Sequence, residues 1–159
     1  MSSWNFKGLL AAAIVLPALS GAAWAGGSDD LGCSDATLKG AYAFSVLTVA
    51  APPGFPNVVV GLITFDGKGG LTQEDYAGGS GLTAFQTGET GTYMVNSDCT
   101  GFETINLGAG AVILENAFVI SNGGRSFHGV VGELTVEGTA AAPAQSRFDG
   151  WKVASEQDN

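Results

Sequence analysis

The chain has 159 residues, of which 45% are hydrophobic and 13% charged, with 25 glycines and a formal net charge of −9. That length sets one domain as the prior, and the acidic balance disfavours nucleic acid and anionic lipid as partners. One histidine and two cysteines exclude the usual zinc ligand sets, so no metal and no cofactor is expected.

The first 25 residues read as a secretory signal peptide. Met1 to Gly8 is polar and carries Lys7, Leu9 to Leu19 is a compact apolar run, and Ala23-Trp24-Ala25 is a small-x-small cleavage site. A membrane anchor is the alternative, but the run is short for a bilayer and Pro17 interrupts it. Cutting after Ala25 leaves residues 26–159 as a single mature domain with five basic against fifteen acidic side chains, a net charge of −10. The expected location is secreted or periplasmic, with no transmembrane segment in the mature chain. The oligomeric state is left open.

Gly26 to Asp35 is a polar lead-in that contains Cys33. Lys39 to Val49 is the first strand, with Tyr42, Phe44 and Val46 on one face and small residues opposite. Ala51 to Asn57, APPGFPN, is a loop because its prolines lack amide donors, and Phe55 at its tip is either a lid or a plug. Val58 to Phe65 is apolar on both faces, which implies burial on both or a covering segment. It runs into the hairpin turn DGKGG at 66–70. Leu71 to Ala77 returns as a polar strand, its Gln73, Glu74 and Asp75 suggesting an exposed edge or a solvated face. GGSG at 78–81 turns, Leu82 to Thr87 is a strand, and GETG at 88–91 is a further turn.

Gly91 to Leu107 reads as strand, tight turn, strand. Asn96, Ser97, Asp98 and Gly101 form the turn, and Cys99 sits in it. Two cysteines in an exported chain pair in an oxidising compartment, so a Cys33–Cys99 disulfide is expected; a lipidated Cys33 is the rival reading. Ala111 to Ile120, Phe127 to Glu137 and Arg147 to Val153 complete the strands, with SNGGRS at 121–126 and the low-complexity stretch at 138–146 between them. Roughly eight short strands separated by turns every 8 to 12 residues or so are the spacing of a sandwich or barrel. Sequential hairpins favour the barrel. The expected fold is all-β: an antiparallel up-and-down β-barrel of about eight strands with one disulfide.

CSDATLKGAYAF at 33–44, ITFDGKGGL at 63–71 and GTYMVNSDCTG at 91–101 together resemble a family of small exported bacterial proteins without an assigned activity. Its pattern is Cys-Ser-x-Ala-x-Leu-x-Gly-x-Tyr, then Phe-Asp-Gly-x-Gly, then Asn-x-Asp-Cys-Thr-Gly. The similarity runs from Cys33 to about Phe127 and rests chiefly on the paired cysteines. The resemblance implies a bacterial source and an antiparallel barrel similar to the allene oxide cyclase and dirigent barrels. None of those enzymes' catalytic residues can be placed here by motif.

Four residues are candidates for a ligand site. His128 shares strand parity with Val130, Leu134 and Val136, which turns it toward the core or lumen. There it is either a core histidine satisfied by a backbone carbonyl or a proton-transfer or ligand-binding group. Asn116 shares a face with Val112, Leu114, Phe118 and Ile120 and is placed inside, with Glu115 outside. A cross-strand hydrogen bond or a ligand's polar group would satisfy it. Glu103 lies on the face of Ile105 and Leu107; facing the lumen it would have a raised pKa, and with Phe102 inward it would be on the surface. Tyr93 is the fourth. No phosphate loop, dinucleotide fingerprint or serine-centred elbow is present.

The reading is therefore an exported, non-catalytic barrel that binds a small apolar molecule in its lumen. One rival is a barrel cyclase or isomerase, which needs an open pocket and an inward carboxylate or tyrosine. The other is a structural or surface-interaction protein whose barrel is filled.

Overall fold

The computed structural model describes residues 32–50, 55–141 and 145–153. The signal peptide read at 1–25 lies outside the described residues, as does the stretch 51–54 of the proline-rich loop. The strands are β1 (Lys39–Ala50), β2 (Val58–Asp66), β3 (Gly70–Ala77), β4 (Gln86–Val95), β5 (Thr100–Leu107), β6 (Val112–Ser121), β7 (Ser126–Val136), β8 (Thr139–Ala140) and β9 (Gln145–Lys152). Each of β1 to β7 pairs antiparallel with the next, and β9 lies between β7 and β1. That closes an eight-stranded antiparallel barrel, with β8 a two-residue addition to the end of β7. Among the described residues, no helix is long and apolar enough to cross a membrane.

One half of the interior is filled with aromatic rings. Phe65 stacks edge-on against Tyr42, Tyr93 and Phe127 at centroid distances of 5.5, 4.9 and 5.7 Å, and Phe127 lies 5.9 Å from Phe148. Such edge contacts add to the burial term. These rings fit because glycines face them across the ladders. Phe44 pairs with Gly61, Phe118 with Gly101, Phe148 with Gly129 and Phe127 with Gly150. In each pair the ring lies where a Cβ on the glycine would sit. On the β7–β9 ladder the two pairs are reciprocal, so the strands that close the barrel hold each other by rings over bare backbone.

A plug seals this end. A single 3₁₀ turn at Asp35–Thr37 leads to Leu38, which is fully buried. The Tyr93 hydroxyl lies 2.9 Å from the Asp35 carbonyl and 3.0 Å from that of Leu38, Val95 N–H donates to Asp35 Oδ1 at 2.8 Å, and the Tyr42 hydroxyl donates to the Gly124 carbonyl. The Cys33–Cys99 disulfide spans 66 residues and fastens the plug to the β4–β5 turn. Cys33 is thus bonded rather than lipidated.

Several local readings are corrected by bulges. GETG at 88–91 is not a turn but part of β4. The pairing of β3 with β4 slips by one residue between Gln73–Glu89 and Asp75–Gln86, and Gly88 takes φ of +84° there, a conformation glycine adopts freely. The residues between Ala77 and Gln86 form a loop, so the strand read at 82–87 begins only at Gln86. β3 is no edge: of the three polar residues Gln73 and Asp75 point inward, and Glu74 faces solvent beside Thr72. The outer face of β2 is open, with Val58 and Val60 exposed rather than covered.

Two outcomes check this packing. Gly150→Ala pushes a methyl into the Phe127 ring and should destabilise the fold by about 1–3 kcal/mol in chemical denaturation. The Cys33→Ser, Cys99→Ser double variant should lose about 4 kcal/mol through the freed loop entropy of the unfolded chain. Losses near zero would show that the aromatic half is loosely packed or that the plug is dispensable.

Candidate functional site

Beyond the aromatic layer the interior opens into a cavity of about 650 Å³. Its floor is Phe44, Phe127 and Phe148, its walls include Val59, Ile63, Ile105 and Leu114, and Phe55 and Leu82 stand among the residues at its mouth. The volume and apolar lining are those of small-molecule sites. An eight-stranded barrel is just wide enough for side chains to fill it or for one small ligand to be held. Here one half does the first, and the other leaves room for the second.

Asn57, Ser80 and Gln86 are among the polar lining residues, and five more, all buried, stand in two clusters on the strands. β3 contributes Gln73 and Asp75, and β4 contributes Glu89, which stands opposite Gln73 in the ladder. Gln73 Nε2 donates to Asp75 Oδ2 at 3.1 Å and to Glu89 Oε2 at 3.0 Å, so one amide bridges two acids. Burial, and then the neighbouring Asp75 carboxylate, pushes Glu89 up to about 7; burial also raises Asp75.

The second cluster lies deeper. Tyr93, Glu103, Asn116 and Val131 align in one row across β4 to β7. Glu103 is 4% exposed and Asn116 5%, and Asn116 Nδ2 donates to Glu103 Oε1 at 2.9 Å. Their other oxygens, Glu103 Oε2 and Asn116 Oδ1, have no hydrogen-bond partner among the described residues. Burial pushes Glu103 up to about 7, while the Asn116 amide pulls the other way.

Of the four residues singled out in the sequence, the structure brings Glu103 and Asn116 together on the cavity wall. Of the two orientations open to Glu103, the inward one holds. Tyr93 also points inward, but its hydroxyl is spent on the plug and it does not line the cavity. His128 is not in the lumen. Its side chain is 47% exposed on the outer face, with Nδ1 at 2.7 Å from Asp149 Oδ1 and Nε2 at 3.3 Å from the Ser121 hydroxyl. A bulge at Gly132, between the Val131–Asn116 and Glu133–Glu115 pairs, switches the parity of β7. Phe127 and Leu134 therefore both face inward although one is odd and the other even, and His128 goes out.

Gln73, Asp75 and Glu89 were missed because polar residues suggest solvent. The available signal was their alternation with Leu71 and Ala77, which puts Gln73 and Asp75 on the face of two apolar residues.

No protein family, curated protein or solved structure matches this chain.

The buried acid gives a pH dependence with a definite sign. Folded Glu103 keeps its proton to about 7, whereas the unfolded chain releases it near 4.5. Between those values the unfolded state binds fewer protons, so stability falls as pH rises, by about 3 kcal/mol in all for this group. The melting temperature should fall from pH 5 to pH 7.5. Glu103→Gln, neutral throughout, should melt higher than the parent at pH 7.5 and close to it at pH 5. The same separation at both pH values would contradict the burial of an ionisable Glu103.

Proposed function

We propose that this protein is an exported, non-catalytic binding protein that holds one small, largely apolar molecule in the open half of its barrel. The observation that carries the reading is the pair of oxygens, Glu103 Oε2 and Asn116 Oδ1, left without a partner among the described residues on two side chains that line a 650 Å³ cavity. Buried polar atoms in native proteins nearly always have partners, and a group on a bound molecule would supply them. The apolar floor would take the rest of that molecule, at about 25 cal/mol for each Å² removed from water. The disulfide suits an oxidising compartment and so supports the exported location.

A second reading has an observation of its own. Two carboxyls pushed up to about 7 inside an apolar cavity are suited to moving protons at neutral pH, as a cyclase or isomerase requires. A barrel like those of allene oxide cyclase and dirigent proteins, which the motif resemblance implies, would support this at the level of fold only. The family suggested by the motifs at 33–44, 63–71 and 91–101 is likewise part of this proposal, as is a bacterial origin.

Native mass spectrometry of the secreted protein should show a co-purifying molecule of a few hundred daltons, and the emptied protein should take up the neutral dye Nile red. Leu107→Trp, which places an indole at the cavity wall, should abolish dye uptake without lowering the melting temperature. Equal uptake by both proteins would place the dye elsewhere and remove the cavity from the account. Recovery of the natural molecule unchanged after incubation with fresh protein supports binding; its conversion to an isomer by the parent but not by Glu103→Gln supports the enzyme.

A further inference from the structure

We infer that the cavity selects a ligand whose apolar body ends in a protonated amine, with the ammonium seated between Glu103 and Asn116. This rests on the reading of the cavity as a site for a small apolar molecule and names its head group.

The unpaired atoms set the chemistry. Asn116 Nδ2 is committed to Glu103 Oε1, which leaves the amide oxygen as the free end of Asn116. The free end of Glu103 is a carboxyl oxygen. With Glu103 ionised, the pair therefore carries two buried acceptor oxygens that have no partner among the described residues. An ammonium offers three donors and no acceptor, and so can serve both; a hydroxyl has one proton and can serve only one. Hydrogen bonds between a cation and a carboxylate are also about twice as strong as neutral ones.

Charge points the same way. Among the described residues the wall contains three acids, Asp75, Glu89 and Glu103, and no lysine, arginine or histidine. Taken by element, β3 presents Gln73 and Asp75, β4 Gln86 and Glu89, β5 Glu103 and β6 Asn116, the loops add the uncharged Asn57 and Ser80, and β1, β2, β7 and β9 contribute only apolar side chains. Tyr93, the neighbour of Glu103 on β4, turns its hydroxyl to the plug. His128, the one histidine of the chain, is outside the barrel and engaged with Asp149. Gln73 holds Asp75 and Glu89 together but brings no charge. Nothing in the wall neutralises these carboxyls, so a cation is favoured and an anion repelled.

Binding is then linked to protons. At pH 8 the carboxyl is ionised and receives the ammonium directly. Below about 7 it holds a proton that the cation must displace, and amine affinity falls by about tenfold per pH unit for one such group.

The test uses three ligands of equal length with different ends: nonylamine, 1-nonanol and nonanoate, titrated calorimetrically into the full secreted protein after its own ligand is removed. At pH 8 nonylamine should bind about tenfold or more tighter than 1-nonanol, and nonanoate should give no heat. Amine affinity should weaken at pH 6 while that of the alcohol stays level. Glu103→Gln should bring amine and alcohol to within about threefold, with alcohol affinity kept. Asn116→Leu, which removes the free amide oxygen and keeps the volume, serves the same purpose should the first variant not fold. An alcohol as tight as the amine, or a preference that survives both substitutions, overturns the amine assignment and leaves the apolar site standing. Uptake of Nile red with no binding of any nonyl compound does the same. Failure of Nile red and of all three compounds overturns both.

Discussion

Phe44, Phe118, Phe127 and Phe148 each lie across a glycine on the facing strand, and the interior is arranged around that contact. A Cβ at any of these four glycines would displace a ring. A displaced ring would have to move into the cavity or through the barrel wall. The reciprocal pairs on the β7–β9 ladder place this constraint at the seam where the sheet closes on itself. With the rings held down, one half of the barrel packs like an ordinary core. Phe44, Phe127 and Phe148 then become the floor of the other half.

The two ends of the barrel are treated differently. At the filled end every tyrosine hydroxyl has a backbone acceptor, and the disulfide fastens the covering turn. At the open end three carboxyls sit in a largely apolar wall, and two polar atoms are left without partners among the described residues. Such groups lower stability as long as the cavity is empty. A barrel selected only for durability would carry leucine or valine at these positions. Their presence beside a well-satisfied half is what gives the cavity its functional reading, in the way that strained or destabilised sites elsewhere mark function.

Much of the architecture was legible from residue order because alternation is a local signal. Tyr42, Phe44 and Val46 marked the inner face of β1, and Leu114 and Phe118 placed Asn116 between them on the inner face of β6. The turn DGKGG is closed by Asp66, whose Oδ1 accepts from the Lys68 and Gly70 amides at 2.6 and 2.9 Å, as its composition implied. What escaped was set by bulges. Gly88 and Gly132 look alike in sequence to turn glycines, yet both lie within continuous strands. One hid Glu89 in an apparent turn, and the other carried His128 to the outside. Gln73 and Asp75 escaped for a different reason. Their hydropathy favours water, and only the pairing of β3 with both β2 and β4, in a sheet curled round a cavity, removes the edge they seemed to occupy and turns them inward.

One group carries the site: Glu103, a glutamate buried in the wall of the open half. Its direct measure is a carboxyl ¹³C NMR titration of Glu103 in the ligand-free folded protein. The account predicts a midpoint of about 7, well above the ordinary 4.5. A midpoint at the ordinary value would mean that water reaches the carboxylate freely, and Glu103 would not be the buried acid on which the site depends.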